Sequence, residues 1–197
     1  TDGVLTVRLD PLPTARASTA LAQLCQHLTA TRTRYPGTDL TLRYREVRNL
    51  TEALAAPLGP EDQTVQTMPD VSPTKWHRAH TTWFFETFLL GPSSSYQAFD
   101  PAYAYLFNSY YEGMGDRHPR AERGHLTRPT VADVAAYRRA VDGAMTAALD
   151  SGALDRVADL VVLGLHHEQQ HQELLLMDIK HVLSINPRRP TYVFDTV

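Results

Sequence analysis

The chain has 197 residues, 43% hydrophobic and 21% charged, with a formal net charge of -3. The length supports one main core, the composition excludes disorder over most of it, and the charge excludes the broad basic field of a nucleic-acid or anionic-membrane binder. A single cysteine, Cys25, excludes an internal disulfide framework and a thiolate zinc cluster, while nine histidines leave metal chemistry open. Small molecules are therefore the expected partners and a reducing cytoplasm the expected compartment. No run approaches the ~20 apolar residues of a membrane span, and residues 1–13 lack a signal-peptide pattern. The chain does not begin with Met and is read as an excerpt of a longer protein.

Leu5, Val7 and Leu9 alternate with polar residues, which predicts a short strand. Leu21, Leu24, Cys25 and Leu28 predict a helix within Ser18 to Thr31, and Leu40, Leu42 and Tyr44 a second strand after the Pro36-Gly37 turn. Residues 1–44 thus read as a strand-helix-strand segment to which no chemistry is assigned. The pattern then changes to long helices. Val47, Leu50, Leu54 and Leu58 form one stripe, closed by Gly59-Pro60. Ser72-Pro73 supplies an N-cap and a first-turn proline for a second helix running to about Leu90. A shorter helix is expected from Pro101 to Tyr111, followed by a long loop from Arg117 to Pro129. Thr130 caps a third long helix with Val134, Tyr137, Val141 and Met145 inward, and a last helix spans Ala153 to Ser184 before Asn186-Pro187 stops it. The expected fold class is mainly α, a four-helix bundle over residues 45–186, with the tail 187–197 read as the start of a further domain.

Histidines mark the expected site. On the last helix Leu160, Gly164, His167, His171, Leu174 and Asp178 recur at steps of three or four, which places two imidazoles one turn apart on one seam. On the second helix Trp76, Ala79, His80, Trp83 and Thr87 form the inward stripe, with His80 at its middle. His80, His167 and His171 are the predicted metal ligands. His77 lies roughly 100° round the helix and is expected to look outward or sideways, in a structural or supporting role, as is His166. Three neutral imidazoles suit iron, copper, zinc or nickel rather than magnesium or calcium, and spacing alone does not choose among them. His167-Glu168-Gln169-Gln170-His171 also spells the H-E-x-x-H of zinc proteases, but no Glu follows Glu173, and Leu174 and Met177 stand where an extended motif wants Gly and His.

Three strings carry a family resemblance: Ser72-Pro73-Thr74-Lys75-Trp76-His77-Arg78-Ala79-His80-Thr81-Thr82-Trp83-Phe84-Phe85-Glu86, Phe107-Asn108-Ser109-Tyr110-Tyr111, and His166-His167-Glu168-Gln169-Gln170-His171-Gln172-Glu173. Over about Tyr44 to Tyr192 the sequence resembles the ergothioneine-biosynthesis sulfoxide synthases, whose N-terminal half is a DinB-like four-helix bundle. The resemblance implies non-haem Fe(2+) on His80, His167 and His171, and use of O2 to join a cysteine-type thiol, cysteine or γ-glutamylcysteine, to the imidazole of hercynine as a sulfoxide. It further implies that Arg120 and Arg123, in His118-Pro119-Arg120-Ala121-Glu122-Arg123, clamp the carboxylates of the thiol substrate, and that Gln170 contacts hercynine. Guanidinium forks suit the first task.

Members of that family carry a C-terminal domain that supplies a catalytic tyrosine. This chain stops at Val197, so no tyrosine here is assigned that role. Two rivals remain open: a stand-alone DinB-like thiol transferase holding zinc or nickel on the same histidines, and a non-catalytic metal-binding module.

Overall fold

The structure, a computed structural model, describes residues 40–109, 113 and 115–192. It is mainly helical, with no strand among the described residues. Helix α1 is Leu40–Ala55, α2 is Thr74–Phe85 and α3 is Tyr103–Phe107. Helix α4 is Val131–Asp150 and α5 is Ala158–Ile185. Helix α2 lies most extensively against α4 and α5, and α1 packs on α5, α4 and α2.

The first helix corrects two expectations. Leu40, Leu42 and Tyr44 begin α1 and do not form a strand, so the expected boundary at residue 44 falls inside a helix. Leu40 and Tyr44 are also four apart, and Tyr44 continues a helical row of buried residues through Val47, Arg48, Thr51, Leu54 and Ala55. Leu50, expected inward, is 43% exposed, and polar Arg48 and Thr51 take the place it was given. The strand expected at Leu5 to Leu9 and the helix within Ser18 to Thr31 lie outside the described residues.

Helix α2 starts after Pro73, with no side-chain cap from Ser72, and all twelve of its residues are buried. A helix buried all round has no solvent face, so a stripe argument cannot tell inward from outward on it. Its last turn widens into a π-helical turn, Glu86–Leu90, ending at Gly91. Helix α4 follows the sequence closely. Thr130 and Asp133 form a reciprocal capping box, and Val134, Tyr137, Val141 and Met145 are wholly buried. Each such apolar side chain contributes about 1.5–3 kcal/mol through burial.

At Gly164 the backbone of α5 lies against aromatic rings of α2. A Cβ there would lie 2.7 Å from Phe85 Cε1 and 2.9 Å from Phe84 Cε1, so only glycine lets the aromatic rings seat against the backbone. The fully buried side of α5 is Val161, Leu165, Glu168, Gln172 and Leu175, while His167 and His171 stand on its half-buried flank. At the far end Tyr192 returns to a second apolar cluster of Leu58, Val71, Ile179, Val182 and Leu183, donating to the Leu54 carbonyl at 2.8 Å. No helix among the described residues is long and apolar enough to cross a membrane.

Candidate metal centre

Helices α2 and α5 bring His80, His167 and His171 together, with one nitrogen from each ring within 4.8 Å of the other two. His80 is buried between two indoles. Its ring stacks on Trp76 at 4.6 Å and 11°, and on Trp83 at 5.7 Å and 15°. Spacings of three and four residues along α2 put these rings in one column. Thus the two tryptophans of the predicted inward stripe form the walls that hold the His80 ring.

His80 Nδ1 lies 2.6 Å from the Phe107 carbonyl, which can only accept, so Nδ1 carries the proton and Nε2 carries the lone pair. That Nε2 is 3.2 Å from His167 Nε2. Two nitrogens each ~2.1 Å from one ion at tetrahedral or octahedral angles are about 3.0–3.4 Å apart, so the observed separation fits two ligands of one metal. His167 is otherwise held by packing, with Phe84 at 4.9 Å, and its buried Nδ1 has no hydrogen-bond partner among the described residues.

Burial dominates the electrostatics. Desolvation, followed by the neighbouring His167, drives the His80 pKa well below its ordinary value. Desolvation brings His167 down to about 4 and lowers His171 far further, aided by the adjacent His80 and His77 rings. All three imidazoles are therefore neutral near pH 7, the form that binds a metal.

No carboxylate among the described residues joins the three histidines in this cluster. Glu168, the glutamate of the H-E-x-x-H string, turns away from the histidines and is wholly buried. Its two oxygens accept from Arg48 Nη1 at 2.7 Å, Arg138 Nη2 at 3.0 Å and the Thr51 hydroxyl at 2.7 Å. Arg48 also reaches Thr82 and Asp142, so this one network ties together α1, α2, α4 and α5. A glutamate so engaged cannot serve as the solvent-facing base of a protease. Nothing in the periodicity of the sequence singled out Arg48 or Arg138. The available signal was Glu168 itself, one residue from a ligand and on the inward side of α5.

His77 corrects another expectation. It is buried, not outward, with Nδ1 2.9 Å from His171 Nδ1 and Nε2 2.9 Å from Asp178 Oδ2. The ring touches a predicted ligand instead of facing outward, because α2 has no exposed side. His166, given the same role, is exposed and pairs with Gln169.

Arg123 stands beside the centre. Its guanidinium lies 3.3 Å over the Trp76 ring, on the column that carries His80, and its Nη atoms donate to Ser72 Oγ at 2.9 Å and Ser109 Oγ at 3.1 Å. Arg120 is exposed on the short 3-10 helix Arg120–His125 and donates to the Asp70 carbonyl. Gln170 is exposed on α5.

A sequence model of the DinB superfamily matches residues 43–175. The chain belongs to the DinB superfamily. All three histidines fall inside the matched range, and a comparison with curated proteins finds no match. This DinB domain thus offers an all-imidazole donor set, which suits zinc, iron, nickel or copper and disfavours magnesium and calcium.

Proposed function

We propose that this DinB domain is the metal-binding part of a non-haem iron(II), O2-dependent sulfoxide synthase that joins a cysteine-type thiol to the imidazole of hercynine. The observation that carries the metal reading is the 3.2 Å approach of His80 Nε2 to His167 Nε2, beside His171, at the flank of α5. His80 is buried, whereas His167 and His171 are only partly buried. Three protein ligands leave further positions on a metal open to small molecules.

In this reading each residue has a limited task. The three histidines hold the ion, which when bound supplies a Lewis acid that takes the thiol as its thiolate. Trp76 and Trp83 keep the His80 ring from turning. Arg123 and Arg120 add positive potential near the centre: both contribute, after burial, to lowering the His77 pKa. An anionic thiol substrate is attracted by that potential. The specific family rests on the resemblance of the three sequence strings, whereas the superfamily match reaches only the DinB level.

The test is anaerobic reconstitution with iron(II), followed by the spectrum of the nitric oxide adduct as thiol and then hercynine are added. Binding is the readout, because the resemblance assigns the catalytic tyrosine to another domain. About one iron per chain and a spectrum that responds to thiol are expected. Tightly held zinc with no response to thiol would replace this reading with the thiol transferase or the non-catalytic module.

A further inference from the structure

We infer that His77 and Asp178 form a positioning relay that fixes the tautomer and the orientation of His171, so that its Nε2 faces the ion. The inference rests on the metal reading above and adds two residues that do not touch the ion.

Asp178 stands on α5, two turns beyond His171 and on the same side of the helix. Its Oδ2 accepts from the Ser72 backbone N–H at 2.9 Å and lies 2.9 Å from His77 Nε2. A carboxylate is an acceptor only, so the proton between them belongs to His77 Nε2. In the neutral ring Nδ1 then carries a lone pair. That Nδ1 faces His171 Nδ1 at 2.9 Å, and two facing nitrogens need one proton between them. The proton accordingly sits on His171 Nδ1. His171 Nε2 is left with its lone pair, the one ring atom still able to bind a metal.

The chain of contacts runs from α5 to α2 and back to α5: His171 donates to His77, and His77 donates to Asp178. Both linking residues are buried, His77 at 3% and Asp178 at 5% exposure, so water does not compete for these bonds. A metal-bound imidazole held through its other nitrogen by a carboxylate, directly or through one more ring, is pre-oriented and more basic. His80 is held differently, by the Phe107 carbonyl, and His167 packs on Phe84 with no hydrogen-bond partner for its Nδ1 among the described residues. The relay thus makes His171 the ligand whose geometry depends on how α2 and α5 dock.

Ring-nitrogen NMR of the zinc-loaded full chain tests this without any substitution. The expected pattern is His77 protonated on Nε2 only and His171 protonated on Nδ1 only. A His77 proton on Nδ1 would overturn the relay. Asp178→Asn adds an affinity readout, since the amide keeps one acceptor oxygen but is a weaker acceptor for His77. A loss of about 10–100-fold in zinc affinity is expected, with the helical circular dichroism unchanged. Unchanged affinity would overturn the inference. Failure of the unaltered chain to take up zinc would instead overturn the metal reading itself, and the relay with it.

Discussion

The carboxylate of Glu168 lies 2.7 Å from the guanidinium of Arg48, both buried, although Glu168 directly follows a metal-ligand candidate in sequence. Adjacent positions on α5 therefore send His167 to the histidine cluster and Glu168 into the core. Arg138 adds a second contact to the same carboxylate, and Arg78 and Arg138 both lie against Glu52 at 2.5 and 2.6 Å. Removing one partner from such a set leaves buried charge uncompensated, which costs more than the pair contributes when intact. Glu168→Gln is expected to destabilise the fold by about 3–5 kcal/mol in urea denaturation. The same change at exposed Glu46 should stay within about 0.5 kcal/mol. Equal effects at the two positions would contradict the structural role of Glu168.

The same carboxylate makes stability depend on acid. Burial pushes the Glu168 pKa up, but the Arg48 and Arg138 guanidiniums outweigh it and hold the group below its ordinary value. A pKa lower in the folded chain than in the unfolded one adds stability above the unfolded value of about 4.3, and that share is lost as pH falls through the folded value. Urea midpoints should therefore fall steeply below about pH 4 in the unaltered chain. Glu168→Gln should be less stable at neutral pH and should lose less on acidification. Parallel pH profiles for the two proteins would count against Glu168 as the source.

The histidine triad was legible because its signal is local: His167 and His171 are one turn apart, and His80 lies between Trp76 and Trp83 at helical spacing. The mainly helical class was legible for the same reason, most plainly in the Thr130 cap and the Val134, Tyr137, Val141 and Met145 row of α4. His77 was misread because α2 is buried all round, a property set by what packs on it rather than by its own pattern. Leu40 to Tyr44 was misread because five residues cannot separate alternation from a helical i, i+4 pair. Arg48 and Arg138 escaped notice since charged residues on an inward face look like pattern errors until their buried partner is known.

Two glycines give opposite expectations for one substitution. Alanine is favoured over glycine in a helix by about 1 kcal/mol. Gly143 on α4 has open space where a Cβ would stand, so Gly143→Ala should raise the melting temperature. At Gly164 the added Cβ would meet Phe84 and Phe85 below 3.0 Å, and overpacking of this kind costs about 1–3 kcal/mol. Gly164→Ala should lower the melting temperature, and should also disturb metal uptake because Phe84 packs on His167. A Gly164→Ala protein as stable as the parent would show that the two helices can part without cost.

The central claim is that His80, His167 and His171 together hold one transition-metal ion, and its most direct test is metal stoichiometry on the unaltered chain and on four single alanine variants. The expected result is about one ion per chain for the unaltered protein and for His166→Ala, and below about a tenth of that for His80→Ala, His167→Ala and His171→Ala. Equal retention across all four variants, or no uptake by the unaltered chain, would contradict it.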